Sequence, residues 1–290
     1  MNYVMKGVAL MKTVIGIDVG GSTTKIVGFD PSGELITPMF VRAHDQITSI
    51  YGALGRFTCE NSIELSDIAK IMVTGVGSTY IANDIYNIPC EHLSEFPCVG
   101  RGGLYLTGLE DAVVISMGTG TAIVHATKDE SVYLGGTGVG GGTLVGLSKL
   151  LTGLSRIPNI VEAAAGGDLS KIDLRVSDIS KTKIHPGLSP DLTAANFGRV
   201  SELATKEDIE LGLINMVLET IAMQAVFAAR SCGVKDIVLT GNLSTIPQAK
   251  ATFLPLSDQF DVNFIIPDNS QFATVIGAAL DGKKIIKKRK

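Results

Sequence analysis

Two stretches of this sequence begin with the same pattern: an apolar strand, then a glycine turn, then a second strand. The first is TVIGIDV followed by Gly20 and Gly21, and the second is VVISM followed by Gly118-Thr119-Gly120. Each continues into a third strand, near residues 34–42 and 131–136, and then into alternating helices and strands. In the first half we expect Asp45 to cap a helix that runs to about residue 60, and a second helix over residues 78–86. This repeated order predicts an α/β protein of two related halves, each with a mixed sheet flanked by helices.

The length of 290 residues suits two domains of ordinary size. We place the boundary between residues 111 and 112. Residues 1–111 then hold the first glycine turn, and residues 112–290 hold the second turn. The C-terminal half also contains an amphipathic helix near 207–231, whose apolar stripe predicts a dimer contact.

The formal net charge of −4 argues against a basic surface for nucleic acid. Residues 283–290 contain six Lys or Arg, which we interpret as a solvated end of the chain. The apolar residues near the start lack the pattern of a signal peptide, and no run approaches the roughly 20 apolar residues that cross a bilayer. We therefore expect a cytoplasmic protein without nucleic-acid or membrane partners.

The first glycine turn, DVGGSTTK, has the residue types that bind ATP phosphates. Glycine lets backbone N–H groups approach phosphate oxygens, hydroxyls donate hydrogen bonds, and a lysine adds positive charge. Asp18 at the strand end is suited to hold Mg²⁺ through water or to orient a water molecule. The candidate ATP contacts of this turn are Gly20, Gly21, Ser22, Thr23, Thr24 and Lys25.

Three further glycine segments complete the candidate nucleotide site. SMGTGT repeats the phosphate turn and contributes Thr119 and Gly120. The helix expected after the GGTGVGGGT segment would offer free N–H groups at its N-terminus to phosphate, and we assign Gly141, Gly142 and Thr143 to this role. The strand that ends in Gly241-Asn242 predicts a nucleoside turn.

Residues 136–141 match G-x-G-x-x-G, which raises the possibility of a dinucleotide fold. The match follows a meander of strands instead of a first βαβ strand, and no following strand ends in a suitable acidic residue. A Walker A loop is excluded because no Lys-Ser or Lys-Thr follows the glycines. The glycine turns therefore favour the phosphate-hairpin interpretation.

Two phosphate hairpins followed by a nucleoside turn resemble the actin-like ATPase superfamily, which implies two ribonuclease H-like halves with five-stranded mixed sheets and ATP between them. Within it, the sequence is similar to the type II pantothenate kinases. The similarity is carried by four stretches: DVGGSTTK, NIPCEHLSEF, GGTGVGGGTLVGLSKLLTG and DLTAANFG. The resemblance implies a homodimer, ATP with Mg²⁺, and phosphorylation of a pantothenate hydroxyl as the first step of coenzyme A synthesis.

The same resemblance assigns substrate and catalytic residues. It makes Glu95 the catalytic base, and it places Thr119, Thr193 and Ala194 near the substrate, the last two reaching it from the partner protomer. Tyr133 stands where the family has a substrate-binding arginine. Arg101, six residues after Glu95, is the candidate to supply the missing charge.

Three alternatives stay open at this point. Tyr133 favours a kinase of the same fold that acts on another small alcohol. The opening TVIGIDVGGSTTK also looks like activators of 2-hydroxyacyl-CoA dehydratases, which bridge a [4Fe-4S] cluster through cysteines, but no cysteine lies between Cys98 and Cys232, where those ligands belong. The third alternative is an ATP-binding module without transfer activity.

Overall fold

The computed structural model describes residues 12–21, 23–42, 45–180 and 189–288. The chain forms two compact units, the first comprising residues up to Gly102 together with those from Phe272 onward, and the second Gly103–Gln271. This division differs from the one expected from sequence, 1–111 and 112–290, at both ends. The first unit ends earlier, and the final helix returns to it because that helix packs on the first sheet.

The first unit is built on a five-stranded mixed sheet in the order β3-β2-β1-β4-β5. β1, β2 and β3 form an antiparallel meander, while β4 and β5 run parallel to β1. Its elements are β1 Thr13–Val19, β2 Thr24–Phe29, β3 Leu35–Val41, α1 Gln46–Glu60, β4 Ile68–Thr74, β5 Cys90–His92 and α2 Glu95–Thr107, whose last residues belong to the second unit.

Apolar, β-branched sequence explains why the central strands of this sheet are buried on both faces. Every residue of β2 is buried, and so are all residues of β1 except Asp18, which is partly buried. Asp45 begins α1 as expected, since its carboxylate accepts a hydrogen bond from the Thr48 amide at 2.6 Å. Helix α1 covers one face of the sheet, and the C-terminal helix packs on β1, β2 and β4.

The second unit repeats this plan with a sheet in the order β12-β11-β6-β7-β8. Again three antiparallel strands are followed by parallel neighbours on one side. The elements are β6 Asp111–Met117, β7 Thr121–Thr127, β8 Ser131–Thr137, α3 Gly141–Leu151, α4 Ile157–Ala164, β9 Leu174–Arg175, α5 Val176–Ile179, β10 Thr193–Ala195, α6 Lys206–Cys232, β11 Asp236–Thr240, α7 Pro247–Phe260 and β12 Asn263–Ile265, and the chain closes with α8 Ala273–Lys288 in the first unit. The predicted mixed five-stranded sheets flanked by helices are confirmed.

Helix α6 is the core helix of the second unit. It packs against β6, β7, β11, α3, α4 and α7, and this packing accounts for its apolar stripe. Among the described helices it is the one whose length and composition would allow it to cross a bilayer, a property that the sequence analysis did not notice. However, 56% of its most apolar stretch is buried inside the structure, as expected of a core helix.

Three local predictions were wrong or incomplete. The helix expected at 78–86 is only a 3₁₀ turn, Val76–Tyr80: the chain is already extended at Ile81, and the positive φ angles of Tyr86 and Asn87 are incompatible with a helix at the far end of the segment. Helix α7, whose interior contains Pro255, was not predicted from the sequence. Lys283, expected to be solvated, stacks over the Phe29 ring and donates to the carbonyl of Gly33.

Candidate active site

Three charged residues predicted to act on phosphate or substrate lie together in the first unit. Asp18 lies near the end of β1, and Lys25 stands opposite it on β2 in the register of the hairpin. Glu95 is the first residue of α2, which begins shortly after β5. Each of these charges affects the pKa of another, so the two carboxylates and the ammonium group are close enough to interact electrostatically; we call the three residues the charged cluster.

Burial dominates the electrostatics of this cluster. Burial raises the pKa of the Asp18 carboxyl, and Lys25 opposes that rise. Burial also raises the pKa of Glu95; the negative charge of Asp18 raises it further, whereas Lys25 lowers it. The Lys25 pKa is lowered by burial, against the attraction of both carboxylates. For each of the three groups, the charged form is therefore less favoured than it would be in water.

Within the described part of the chain, the buried Lys25 ammonium group has no direct ionic partner. Its residue is only 9% exposed, and among the described residues no carboxylate oxygen lies within 4 Å of it in an ion pair. A buried cation without close pairing is costly unless an anion completes its environment. The arrangement therefore suits an anionic ligand such as a phosphate.

The first glycine turn is only partly as predicted. The Gly20 amide closes the turn by donating to the Thr23 carbonyl, and Gly21 is exposed with open space where a side chain would lie. Thr24 is only 2% exposed, and its hydroxyl accepts a hydrogen bond from Ser49 of α1 at 2.7 Å. Thr24 therefore connects α1 to the sheet, and its contact with ATP stays a prediction. Ser22, another predicted ATP contact, lies outside the described residues.

The second glycine turn is clamped by the start of α3. The Gly141 and Gly142 amides donate to the carbonyls of Gly118 and Thr119 at 2.9 and 2.8 Å. These N–H groups are therefore not free for phosphate, which corrects the expectation that α3 would bind phosphate through them. The Thr143 hydroxyl is also engaged, since it donates to the Gly138 carbonyl at 2.8 Å.

The hydrogen bonds from α3 leave the Thr119 side chain of the second glycine turn exposed. Gly120 and Gly140 are in close backbone contact, because a Cβ added to Gly140 would stand 2.8 Å from the Cα atom of Gly120. The glycine-rich stretch before α3 is thus required for close backbone packing. Its role is to fix the conformation of the turn that carries Thr119.

The predicted nucleoside turn follows β11. Gly241 has a φ angle of +86° and donates its amide to the Ser270 carbonyl, while Asn242 is exposed. Next to this turn a cavity of about 440 Å³ lies between the segments that follow β11 and β12, with Ile246 and Pro267 among its apolar walls and Lys250 and Asn269 among its polar groups. Its size and mixed lining suit a heterocyclic base.

The predicted substrate residues are spread over different elements. Tyr133 lies half exposed on the edge strand β8. Thr193 and Ala194 lie on β10, where the Thr193 hydroxyl donates to Glu219 of α6 at 2.8 Å and Ala194 is exposed. Arg101 forms an ion pair with Asp281 of α8. That pairing gives Arg101 a structural partner, and its contact with substrate stays a prediction.

One residue next to Asp18 was not predicted from the sequence. Gly75, directly after β4, has a φ angle of +86°, and a Cβ there would stand 2.4 Å from Oδ1 of Asp18. A signal for it existed in the sequence, because Thr74-Gly75-x-x-Ser and Thr240-Gly241-x-x-Ser occur at corresponding places in the two halves. The second copy was recognised as a nucleoside turn, whereas the first was not.

The cysteines do not form a cluster site in the described part of the chain. Cys98 is buried beside Thr74, and burial raises its pKa to about 12, so its thiol is inert at neutral pH. No group of three or more His, Cys, Asp or Glu residues suited to a metal ion occurs among the described residues. With no cysteine between Cys98 and Cys232 in the sequence, the dehydratase-activator alternative is not favoured.

Comparison with solved structures identifies the fold. The activator of 2-hydroxyisocaproyl-CoA dehydratase from Clostridium difficile, solved with bound ADPNP, superposes with a TM-score of 0.67 over 96% of this chain and 98% of its own. A ROK family protein from Streptococcus pneumoniae, solved with sucrose, gives a TM-score of 0.59 over 95% and 99%. At 16% and 15% identity these similarities establish the actin-like ATPase fold and nothing more.

Comparison of sequences is more specific. The Fumble family matches residues 111–260. The type II pantothenate kinase of Oceanobacillus iheyensis is 32% identical over 278 residues, which cover 92% of this chain and 98% of that protein. The enzyme of the same name from Staphylococcus saprophyticus is 31% identical over 79% of this chain and 84% of its own. The chain therefore belongs to the type II pantothenate kinase family.

Proposed function

We propose that this protein is a kinase that transfers the γ-phosphoryl group of ATP to the hydroxyl of pantothenate, the first step of coenzyme A synthesis. The observation that carries the proposal is its match to a type II pantothenate kinase at 32% identity over nearly the full length of both chains. The cluster of Asp18, Lys25 and Glu95 supplies the chemistry that such a transfer requires.

Glu95 is the proposed general base. The hydroxyl oxygen attacks the γ-phosphorus, the bond from that phosphorus to the β–γ bridging oxygen breaks, and the hydroxyl proton passes to the Glu95 carboxylate. Burial and the charge of Asp18 raise the pKa of Glu95, which makes its carboxylate a stronger base than an exposed one. Catalysis otherwise depends on positioning and on neutralising the phosphate charge.

Asp18 and Lys25 are the proposed phosphate-side residues. Mg²⁺ prefers oxygen ligands and retains several of its waters, and the partly buried Asp18 carboxylate supplies such oxygens, so this residue fits a magnesium ion held through water. When bound, the ion neutralises charge on the phosphates. Lys25 supplies a fixed positive charge from a buried position, and an anionic phosphate would complete its environment.

ATP is proposed to contact the open parts of the turns. In the first unit these are Gly20, Gly21 and Thr23, and in the second they are Thr119 and Gly120. We propose that the nucleoside contacts Gly241 and Asn242 and that its base enters the adjacent cavity. Gly141, Gly142 and Thr143 support this site by holding the second turn in place.

For pantothenate we propose contacts with Thr119, Tyr133, Thr193 and Ala194. Arg101 would add a positive charge if the substrate carboxylate displaced Asp281 from its ion pair. The alternative of a kinase for a different small alcohol, which the uncharged Tyr133 suggested, is not favoured by the match to type II pantothenate kinases. Activity toward pantothenate relative to other alcohols decides between the two.

We also propose a homodimer in the cytoplasm. The apolar stripe of α6, on which the dimer prediction was based, is mostly buried in its own unit. Any contact through α6 would have to use its exposed positions, of which Phe227 is 59% exposed. Light scattering at micromolar concentration tests this, and a monomer would contradict it.

The test of the proposed function is ADP release in the presence and absence of pantothenate. We expect pantothenate to accelerate ADP release by the wild-type protein and Glu95→Gln to abolish that acceleration. A panel of other small alcohols serves as the control for substrate identity. No acceleration over a wide range of pantothenate concentration would reject the assignment and leave only the kinase fold.

A further inference from the structure

We propose that Thr74 and Gly75, the two residues at the end of β4, are positioning residues that set the places of the Asp18 and Glu95 carboxylates. The inference rests on the proposed function, which gives those carboxylates their roles. Neither residue would touch the reacting atoms. Each acts on a different carboxylate, and together they fix both from one point on the sheet.

Gly75 controls the space beside Asp18. Its φ and ψ angles of +86° and 162° fall in a region that is essentially restricted to glycine. A Cβ at this position would stand 2.4 Å from Oδ1 of Asp18 and 2.7 Å from the carbonyl oxygen of Val19. Any side chain would therefore displace either the carboxylate or the strand that carries it.

Thr74 is hydrogen-bonded to the segment that leads to Glu95. Its side chain is fully buried, and its hydroxyl donates to the Leu93 carbonyl at 3.1 Å. The Leu93 amide donates in turn to the Val73 carbonyl at 2.8 Å. Leu93 is thus held by both its amide and its carbonyl, and Glu95 begins α2 only two residues later.

The second unit shows that the fold itself does not impose this hydrogen bond. Thr240 and Gly241 occupy the corresponding place after β11, and Gly241 has the same φ angle of +86°. There the Thr240 hydroxyl donates to Ile115 of β6, the strand corresponding to β1. Only the Thr74 hydroxyl turns to the other side, toward the segment before α2. The bond to Leu93 is therefore a local feature of the unit that carries Glu95.

The first experiment compares Thr74→Val with Thr74→Ser. Valine keeps the shape and removes the hydroxyl, whereas serine keeps the hydroxyl. Misplacing a catalytic group by about 1 Å can cost up to about a hundredfold in rate, so we expect Thr74→Val to lower kcat by about tenfold or more. The KM for ATP should stay within about twofold, and Thr74→Ser should recover most of kcat.

The matched control for the lost hydroxyl is Thr58→Val. The Thr58 hydroxyl is also buried and donates to a backbone carbonyl, that of Leu54, but it lies in α1 away from the cluster. We expect this variant to lose stability as Thr74→Val does while keeping wild-type kcat. A fall in kcat for both variants would mean that loss of stability, and not positioning, explains the effect, and would overturn the proposal.

The second experiment compares Gly75→Ala with Gly153→Ala. Gly153 has a similar φ angle of +82°, but no atom lies within 4 Å of the position its Cβ would take. Both variants therefore carry backbone strain, while only Gly75→Ala pushes on Asp18. We expect a loss of kcat of at least about tenfold for Gly75→Ala and wild-type kcat for Gly153→Ala.

Failure of this inference is distinguishable from failure of the proposed function. If the wild-type protein does not phosphorylate pantothenate, the proposed function fails; if Glu95→Gln keeps wild-type kcat, the role of Glu95 as base fails. In either case the inference falls as well. If Glu95→Gln is inactive but Thr74→Val keeps wild-type kcat, the proposed function stands and the positioning role of Thr74 is refuted. Recovery of kcat by Thr74→Ser supports it.

Discussion

Replacing Gly102 by alanine should separate α2 from α8 and destabilise the first unit. The two helices touch through small residues at a spacing of four: Gly102 lies on the backbone of Ala273, and Gly277 lies on the backbone of Cys98. Because α2 also carries Glu95 at its first position, the change should reduce activity as well as stability.

The magnitude follows from the distances. An alanine Cβ at position 102 would stand 1.7 Å from the Ala273 carbonyl oxygen, and side-chain Cβ atoms essentially never come closer than 3.0 Å to another atom. The backbones must therefore move apart by more than 1 Å. Overpacking of this kind costs about 3 kcal/mol or more, which corresponds to a fall in Tm of about 6 °C or more.

The control is Gly55→Ala in α1. Gly55 is an exposed interior residue of that helix, and no atom lies within 4 Å of the position of an added Cβ. Alanine should stabilise the helix there by about 0.5 to 1 kcal/mol, so the same substitution has opposite signs at the two positions. Differential scanning calorimetry measures both. An unchanged or raised Tm for Gly102→Ala would refute the close backbone contact of α2 and α8.

Three further predictions follow from the charged groups. Asp18→Asn should lower turnover by orders of magnitude without lowering Tm, because burial disfavours the Asp18 charge in the folded state; a large loss of Tm would contradict this. The profile of kcat/KM against pH should fall on the acidic side as Glu95 is protonated, at a pH above its ordinary pKa of 4.5. On the alkaline side it should fall as Lys25 loses its proton, at a pH below its ordinary pKa of 10.5. If the profile falls at the ordinary pKa values instead, the interaction among Asp18, Lys25 and Glu95 is contradicted. Asp208 accepts hydrogen bonds from the Thr205 and Asp168 amides and from Lys171, so Asp208→Ala should cost about 3 kcal/mol in urea unfolding. The pKa of Asp208 is lowered from 3.8 to about 2 in the folded protein. Its contribution to the free energy of unfolding is therefore complete above pH 3.8, the pKa in the unfolded chain, and should be lost as pH falls from about 4 to 2.

Much of the fold could be predicted because local signals agree with the global structure. The hairpins were recognisable from β-branched runs broken by glycine, and α6 from its apolar period. By contrast, α7 carries Pro255 in its interior, a local signal against the helix that packing overrides. The short strand β5 has only three residues, too few for an alternating pattern.

The site was harder to predict because it depends on contacts between distant segments. The residue types of the first turn pointed to phosphate binding, but nothing local indicated that the Thr24 hydroxyl is bonded to Ser49. Likewise, the amides of Gly141 and Gly142 look free in the sequence, and only the fold brings the second turn against them. Glu95 was identified by the family resemblance alone, because no local pattern around it indicates a catalytic role.

The most direct test of the central claim is detection of the product by mass spectrometry. The wild-type protein incubated with ATP, Mg²⁺ and pantothenate should yield one phosphopantothenate for each ADP, and Glu95→Gln should yield neither above background. If ADP forms without phosphorylated pantothenate, or if Glu95→Gln makes the product at the wild-type rate, the account of this protein as a pantothenate kinase with Glu95 as its base is contradicted.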